Sequence, residues 1–315
     1  MIHTLTSESQ CRDAWQALSP RQRAWDEWDL MFAFHDEERF QFHFLTHERG
    51  GQIDGLIPLV ENLVEKRFEL FGGSYPDGRV LWLRPDDFPR FYEQLPENTV
   101  FFDLSGPWVD GLLNTVSEYT ENFTEQDDRF FLIPAKFDHD FVNHINTFST
   151  DKRKGFLYDL RKIREKGPVL HWSDEDASDL FIRLSNLRFG AESDYADESN
   201  QAELRRVIRE LKAHNNLRTL VIEMDGQPHA VSMTAHYGKS MVALYSASNM
   251  EYKNLGKLLN VETIQEACRL RVDEISYMTG MTWKAAWKMD NEPCRTFRKP
   301  ARPPALPASP ENSNP

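Results

Sequence analysis

Cysteine is scarce. Cys11, Cys268 and Cys294 are the three in 315 residues. An odd count without metal-type spacing supplies neither a disulfide framework nor a cysteine zinc site, and it points to a reducing compartment. Positive charge is also short. With 37 Lys and Arg against 50 Asp and Glu, the formal net charge is −13, so the overall field repels DNA and anionic membrane. No apolar run approaches the ~20 residues that a membrane helix needs. The opening MIHTLTSESQCRDAW has no charged n-region followed by an apolar h-region. The expectation is a cytoplasmic protein with no membrane insertion and no DNA partner. Catalytic signatures are missing too: there is no G-x-S-x-G, no H-E-x-x-H and no G-x-x-x-x-G-K-[ST]. His35, His43 and His47 gather near one strand but lack a recognised ligand spacing, so no metal is expected.

The rest of the composition belongs to a folded chain long enough for two domains. Hydrophobic residues make up 40% and charged residues 28%, and the 12% aromatic content suits large cores or a cleft for a flat or sugar-like ligand. The first half alternates short strands and helices. Phe40–Leu45 and Gln52–Val60 read as a hairpin, with Pro58 marking an edge or a bulge. Phe68–Phe71 runs into the glycine-rich loop Gly72-Gly73-Ser74-Tyr75-Pro76-Asp77-Gly78. Val80–Leu83, Thr99–Leu104 and Phe130–Ile133 read as strands, and Trp108–Asn122 as a helix. From Arg298 onward Pro, Ala and Ser dominate without an apolar face, so 298–315 reads as a disordered tail.

The second half opens with a basic helix, Thr150–Lys166. Lys152, Arg153, Lys154, Arg161, Lys162, Arg164 and Lys166 reverse the local charge against Asp151, Asp159 and Glu165. Such a face steers an anionic ligand or is simply solvated. Asn200–His214 has Leu204, Val207, Ile208 and Leu211 at helical spacing. Thr219–Met224 and His229–Tyr237 form a hairpin across Asp225-Gly226, and Met241–Ala247 is a third strand. The loop Asn249–Gly256 leads into a helix, Gly256–Leu270, and then into Asp273–Met278, read as the last strand. Strand, loop, helix and strand in that order suggest a crossover. At its turn, Lys253, Asn254, Gly256 and Lys257 offer open helix N–H groups and charge to a phosphate. The plain alternative is a strand-to-helix turn with solvated lysines.

In succession, these features resemble the FemAB-like and CelD-like double-GNAT acyltransferases, with a BioF2-like acetyltransferase domain over about residues 150–287. The resemblance rests on the basic helix, the Asp225-Gly226-Gln227-Pro228 turn, the strand Leu244-Tyr245-Ser246-Ala247, the loop Lys253-x-x-Gly256-Lys257, and Gly280…Trp283-Lys284. It implies an α/β (α+β) chain of two GNAT-like domains, each a mixed, mostly antiparallel sheet flanked by helices. The division would be 1–135, a degenerate copy, then 136–297, the acyltransferase domain, then the tail.

The implied activity is acyl-CoA-dependent N-acyl transfer, with acetyl-CoA or another acyl-CoA as co-substrate. The acceptor would be a small amine or a cell-envelope or polysaccharide precursor. Leu244, Tyr245 and Ser246 would offer a backbone edge to the pantetheine arm, and Asn254–Lys257 would take the pyrophosphate. Glu223 and His236 are the candidate bases and Tyr277 the candidate acid, with strand register left open. Tyr75 and Asp77 from the first half, with Trp283 and Lys284, are candidates for holding the acceptor or an anionic group. For each, a core or turn role stays open. Two other readings remain: an aminoacyl-tRNA-dependent Fem-type peptide-bridge transferase, the one case with a tRNA partner, and a catalytically silent binding or scaffold protein. The donor loop, which has no second glycine, motivates the last.

Overall fold

A computed structural model describes residues 1–73, 75–281 and 283–299. The strands, in chain order, are β1 (Ile2–Leu5), β2 (Phe40–Phe42), β3 (Phe44–Arg49), β4 (Gln52–Ile57), β5 (Leu59–Asn62), β6 (Arg67–Leu70), β7 (Val100–Ser105) and β8 (Phe123–Leu132) in the first half. They continue as β9 (Val169–Ser173), β10 (Leu217–Met224), β11 (Gln227–Tyr237), β12 (Ser240–Ser248), β13 (Glu274–Thr279) and β14 (Asp290–Arg298). Two small sheets, β1-β3-β4 and β2-β5-β6, belong to the first half. The large sheet runs β7-β14-β8-β13-β12-β11-β10-β9. Strands of both halves thus form one continuous sheet, joined where β8 pairs antiparallel with β13. The β12–β13 pair is its one parallel step among the described residues.

The second half follows the sequence pattern closely. Asp197 caps the helix Glu198–Ala213 through Ser199 N–H at 2.7 Å, and Leu204, Val207, Ile208 and Leu211 are its buried stripe. The helix Leu255–Arg269 is buried nearly all round, from Leu255 through Cys268, as befits an element covered by others. It packs on one face of the sheet with the helices Phe141–Asn146 and Thr150–Arg164. The opposite face is covered by the helices Ser178–Phe189 and Glu198–Ala213. That core continues into the first half through Trp15, Trp25, Trp28, Phe34 and Phe71.

The first half departs from expectation at several points. Trp108–Asn122 is not one helix: Gly106–Leu113 is helical and Ser117–Asn122 is a separate 3₁₀ segment. Val80–Leu83 makes only isolated bridges, Trp82 to Leu56 and the adjacent Arg79 to Leu104. β8 begins seven residues before Phe130, and β1 and β14 were not foreseen as strands. β14 matters most. Asp273–Met278 is not the last strand, because Asp290–Arg298 returns to pair with β7 on one side and β8 on the other. Arg298 therefore ends a strand rather than opening a tail; 300–315 lie outside the described residues. No described helix is long and apolar enough to cross a membrane.

Candidate functional site

The parallel strands β12 and β13 pair only at Ser240–Val242 against Glu274–Ser276. β12 then runs on to Ser248 and β13 to Thr279, and the two part. A bulge helps to bend β12 away. Met233 and Thr234 of β11 face Tyr245 and Ala243, so Leu244 is the extra residue. The β13-facing edge of β12 beyond Val242, at Leu244, Tyr245 and Ser246, thus has no strand partner among the described residues.

The helix Leu255–Arg269 starts beside this edge. Asn254 precedes it in the left-handed region (φ +70°), and no side chain among the described residues caps it; Leu255 N–H donates to the Tyr252 carbonyl at 3.0 Å, so Gly256 and Lys257 carry the first-turn N–H groups left to a ligand. Gly256 is required by contact with the strand, since a Cβ there would lie 2.9 Å from Ser248 Oγ. The Lys257 ammonium bonds the Asp159 carboxylate, holding it below its ordinary pKa, and lies 5.1 Å from the Phe156 ring centre. Lys253 is exposed. The basic helix and the donor loop are therefore physically joined, and one of the two loop lysines is already engaged.

On the sheet's other face, a cleft of about 320 Å³ opens against Ser246 and Ala247 of β12. Phe181, Ser185 and Arg188, the segment Glu192–Tyr195, and Met281 form its walls. Tyr195 lines it, and Tyr75 and Tyr245 lie against Tyr195. The Tyr75 and Tyr195 hydroxyls are 3.3 Å apart, and the Tyr245 ring is 6.1 Å from that of Tyr75 and 5.5 Å from Phe181. The Tyr245 hydroxyl is buried facing that of Tyr75. Burial raises the pKa of all three tyrosines, and the nearby Glu203 carboxylate adds to each shift. Burial likewise raises the pKa of Glu203 from its ordinary value, against the pull of Arg206 and Arg39.

The other candidates fall elsewhere. Glu223 lies on β10, with β11 between it and β12. It sits 3.5 Å from His171 in a separate recess with Asp176, Asp179 and Arg205. His236 is opposite Met241, where β12 still pairs with β13, and burial lowers its pKa. Neither is brought to the cleft. Tyr277 is buried on the side of the helix Leu255–Arg269, edge-on to Trp283 at 6.2 Å. Its hydroxyl has no partner, and burial raises its pKa.

Asp77 is 1% exposed and fully engaged inside the protein. It accepts from Trp25 Nε1 at 2.6 Å and Ser276 Oγ at 2.7 Å. Lys284 is not a surface lysine. Its ammonium donates to the carbonyls of Met278 and Thr279, and burial lowers it to about 8 against the pull of Asp77. Trp283 is partly exposed, with Nε1 3.4 Å from Met281 Sδ.

Of the residues expected from the sequence, the structure brings Tyr75 and Tyr245 together with Tyr195; Tyr195, Glu203, Arg188 and Ser276 were not among the expected ones. One group of metal-ligand atoms, His47, Asp54 and Asp87, lies within 4.8 Å. Arg49, Arg84 and Arg90 pair with its two carboxylates at 3.0–3.5 Å, and three guanidinium groups oppose a cation there.

Residues 150–289 match the family described as the acetyltransferase (GNAT) domain. No curated protein matches the chain in sequence. Among solved structures it is similar to FemX, with 10% identity, a TM-score of 0.63, and 93% of this chain and 96% of that one covered. L-PGS from Bacillus licheniformis has 12% identity and a TM-score of 0.56, over 93% and 92% of the two chains. A tandem GNAT protein from the clavulanic acid biosynthesis pathway has 11% identity and a TM-score of 0.52, over 96% and 99%. At such identities the likeness is one of fold. Residues 150–289 therefore carry a GNAT-type acyltransferase domain, within a chain that has the fold of the FemAB-like double-GNAT proteins.

Proposed function

We propose that the protein transfers an acyl group from acyl-CoA to an amine held in the cleft against Ser246 and Tyr195. The observation that carries this reading is the parting of β12 and β13 after Val242 and Ser276, beside an uncapped helix start. The free edge at Leu244–Ser246 would bond the amides of the pantetheine arm. The N–H groups of Gly256 and Lys257, with Lys253, would bind the pyrophosphate.

The chemistry then needs the amine nitrogen held against the thioester carbonyl, largely a matter of proximity. The C–N bond forms, the C–S bond breaks, the amine gives up a proton and the thiolate takes one. Glu203 is a half-buried carboxylate whose charge reaches all three tyrosines, and a raised pKa suits it to accept the amine proton through them. Glu203→Gln is expected to lower CoA release from acetyl-CoA with a panel of primary amines by about 10²–10⁴-fold. CoA affinity should stay unchanged. Equal rates would remove Glu203 from the mechanism.

Calorimetry of the full chain with acetyl-CoA and free CoA tests the donor. Absence of binding at millimolar ligand would overturn the reading and favour a silent scaffold. Lys253→Ala should weaken binding about two- to fivefold, and Lys257→Ala less, because Asp159 already holds that ammonium. Unchanged affinity in both variants would place the pyrophosphate elsewhere.

One observation supports the aminoacyl-tRNA alternative. Tyr158 is 52% exposed on the basic helix, flanked by Arg161 at 5.5 Å and Lys162 at 5.8 Å. A charged-tRNA gel shift that weakens steeply with salt, without CoA binding, would favour it.

A further inference from the structure

Asp77 and Ser276 meet where β12 and β13 part. Ser276 is the last residue of β13 paired with β12. Its hydroxyl donates to Asp77 Oδ2 at 2.7 Å and accepts from Met278 N–H at 3.0 Å. Met278 is left-handed, with φ +62°, a conformation that an L-residue with a long side chain keeps only when its surroundings impose it. The register against β8 slips at the same place: Ser276 faces Phe131 but Thr279 faces Arg129, so one residue is bulged out. The carbonyls of Met278 and Thr279 accept from Lys284 Nζ at 3.2 and 2.9 Å. Both backbone polar groups of Met278 are thus held by side chains.

The anchor of this chain of contacts lies in the first half. Asp77, on the glycine-rich loop, is fixed by Trp25 Nε1 at 2.6 Å and faces the Arg129 guanidinium at 4.0 Å. Asp77, Ser276 and Lys284 are each less than 5% exposed. No ligand reaches them, and what they act on is the backbone of the strand end. Beyond it, Met281 forms part of the cleft wall.

We propose that the first half holds the slot open: Asp77 draws Ser276 in, Ser276 turns Met278 away from β12, and Lys284 locks the turn. Asp77, Ser276 and Lys284 are then positioning residues. Without them, β13 relaxes toward an extended strand able to go on pairing with β12 past Val242, which closes the edge at Leu244–Ser246. For the ligand of the slot this rests on the acyl-CoA reading; the parting of the strands does not.

Ser276→Ala in the full chain tests it, with Lys284→Met as a second variant that breaks the same turn from its other side. Hydrogen exchange followed by mass spectrometry should slow at least tenfold at 244–246 and 277–279, where the two strands gain ladder bonds, with the β10–β11 hairpin unchanged. The calorimetric Kd for CoA should rise at least tenfold while Tm falls by only a few degrees. Unchanged or faster exchange at these positions in both variants would overturn the proposal, and so would slower exchange with unchanged CoA affinity. If the unsubstituted protein binds no CoA, the donor reading fails, and the exchange result still decides whether Asp77 and Ser276 hold the strands apart.

Discussion

A chain that ends at Met289 should lose the cooperative unfolding transition of the intact protein and associate in solution. β14 is inserted between β7 and β8, so its loss exposes two strand edges at once. It also removes Phe297, which is 0% exposed and stacked on Phe101 at 4.8 Å between ring centres. Phe297→Ala alone should cost about 3–5 kcal/mol. That is a large share of the roughly 5–15 kcal/mol by which a domain is stable. The ladder on both sides goes with the truncation, so the deficit should exceed the total. Thermal melts by circular dichroism and size-exclusion chromatography check this. A truncated monomer with a sharp transition would show that the first half closes its sheet without β14. The expectation has a structural corollary: a segment cut to residues 150–289 leaves out the strand that ties the end of the chain to the first half.

β14 was hidden from the sequence for a physical reason. Asp290–Arg298 contains Pro293, charged residues and no clean alternation, and it runs straight into the Pro-rich stretch. Two long-range ladders make it a strand, not local preference. The same holds for the first seven residues of β8, whose Glu125, Gln126, Asp127 and Asp128 read as a loop until β14 pairs alongside. Where structure depends on near neighbours the sequence was legible. The hairpin at Asp225-Gly226, the stripe of the helix Glu198–Ala213 and the crossover into the helix Leu255–Arg269 all emerge as expected.

The site divides along the same line. Of its proposed backbone part, the helix start at Asn254–Gly256 could be read from element order, while the edge at Leu244–Ser246 came only from the family resemblance. Its side chains depend on which residues distant parts of the chain bring together. Tyr75 reaches Tyr195 across 120 positions, and Ser276 reaches Asp77 across 199. Glu203 sits on a helix whose stripe reads as ordinary amphipathic packing, so nothing nearby marks it. Lys284 reads as a solvated lysine because nothing local announces the carbonyls and the carboxylate that allow its burial. Gly256 was legible as a glycine in a donor loop, yet its nearest constraint is Ser248.

Arg129→Met should be the most damaging single substitution of a charged residue, at about 3–5 kcal/mol, because it leaves carboxylates unpaired at the junction of the halves. The guanidinium is 3% exposed. It bonds Glu274 Oε2 at 2.6 Å, faces Asp77 at 4.0 Å and lies 4.3 Å from the Phe131 ring centre. It also packs against Gly78 (φ +57°), where a Cβ would come within 2.6 Å of it. The pH dependence identifies the cause. Burial raises the pKa of Glu274 from 4.5, and Arg129 is the largest influence pulling it back. Without Arg129 the pKa rises further. A carboxyl whose folded pKa lies above its unfolded value contributes stability that is present below the unfolded pKa and lost as pH climbs through the folded one. The deficit of Arg129→Met should therefore be smaller near pH 4.5 than at pH 7.5, as urea melts at the two pH values will read. An equal deficit at both would mean that packing on Phe131 and Gly78, not charge, is what was lost. Adding Glu274→Gln to Arg129→Met should recover part of the loss at pH 7.5 and little at pH 4.5, since the unpaired charge it removes exists only at the higher pH.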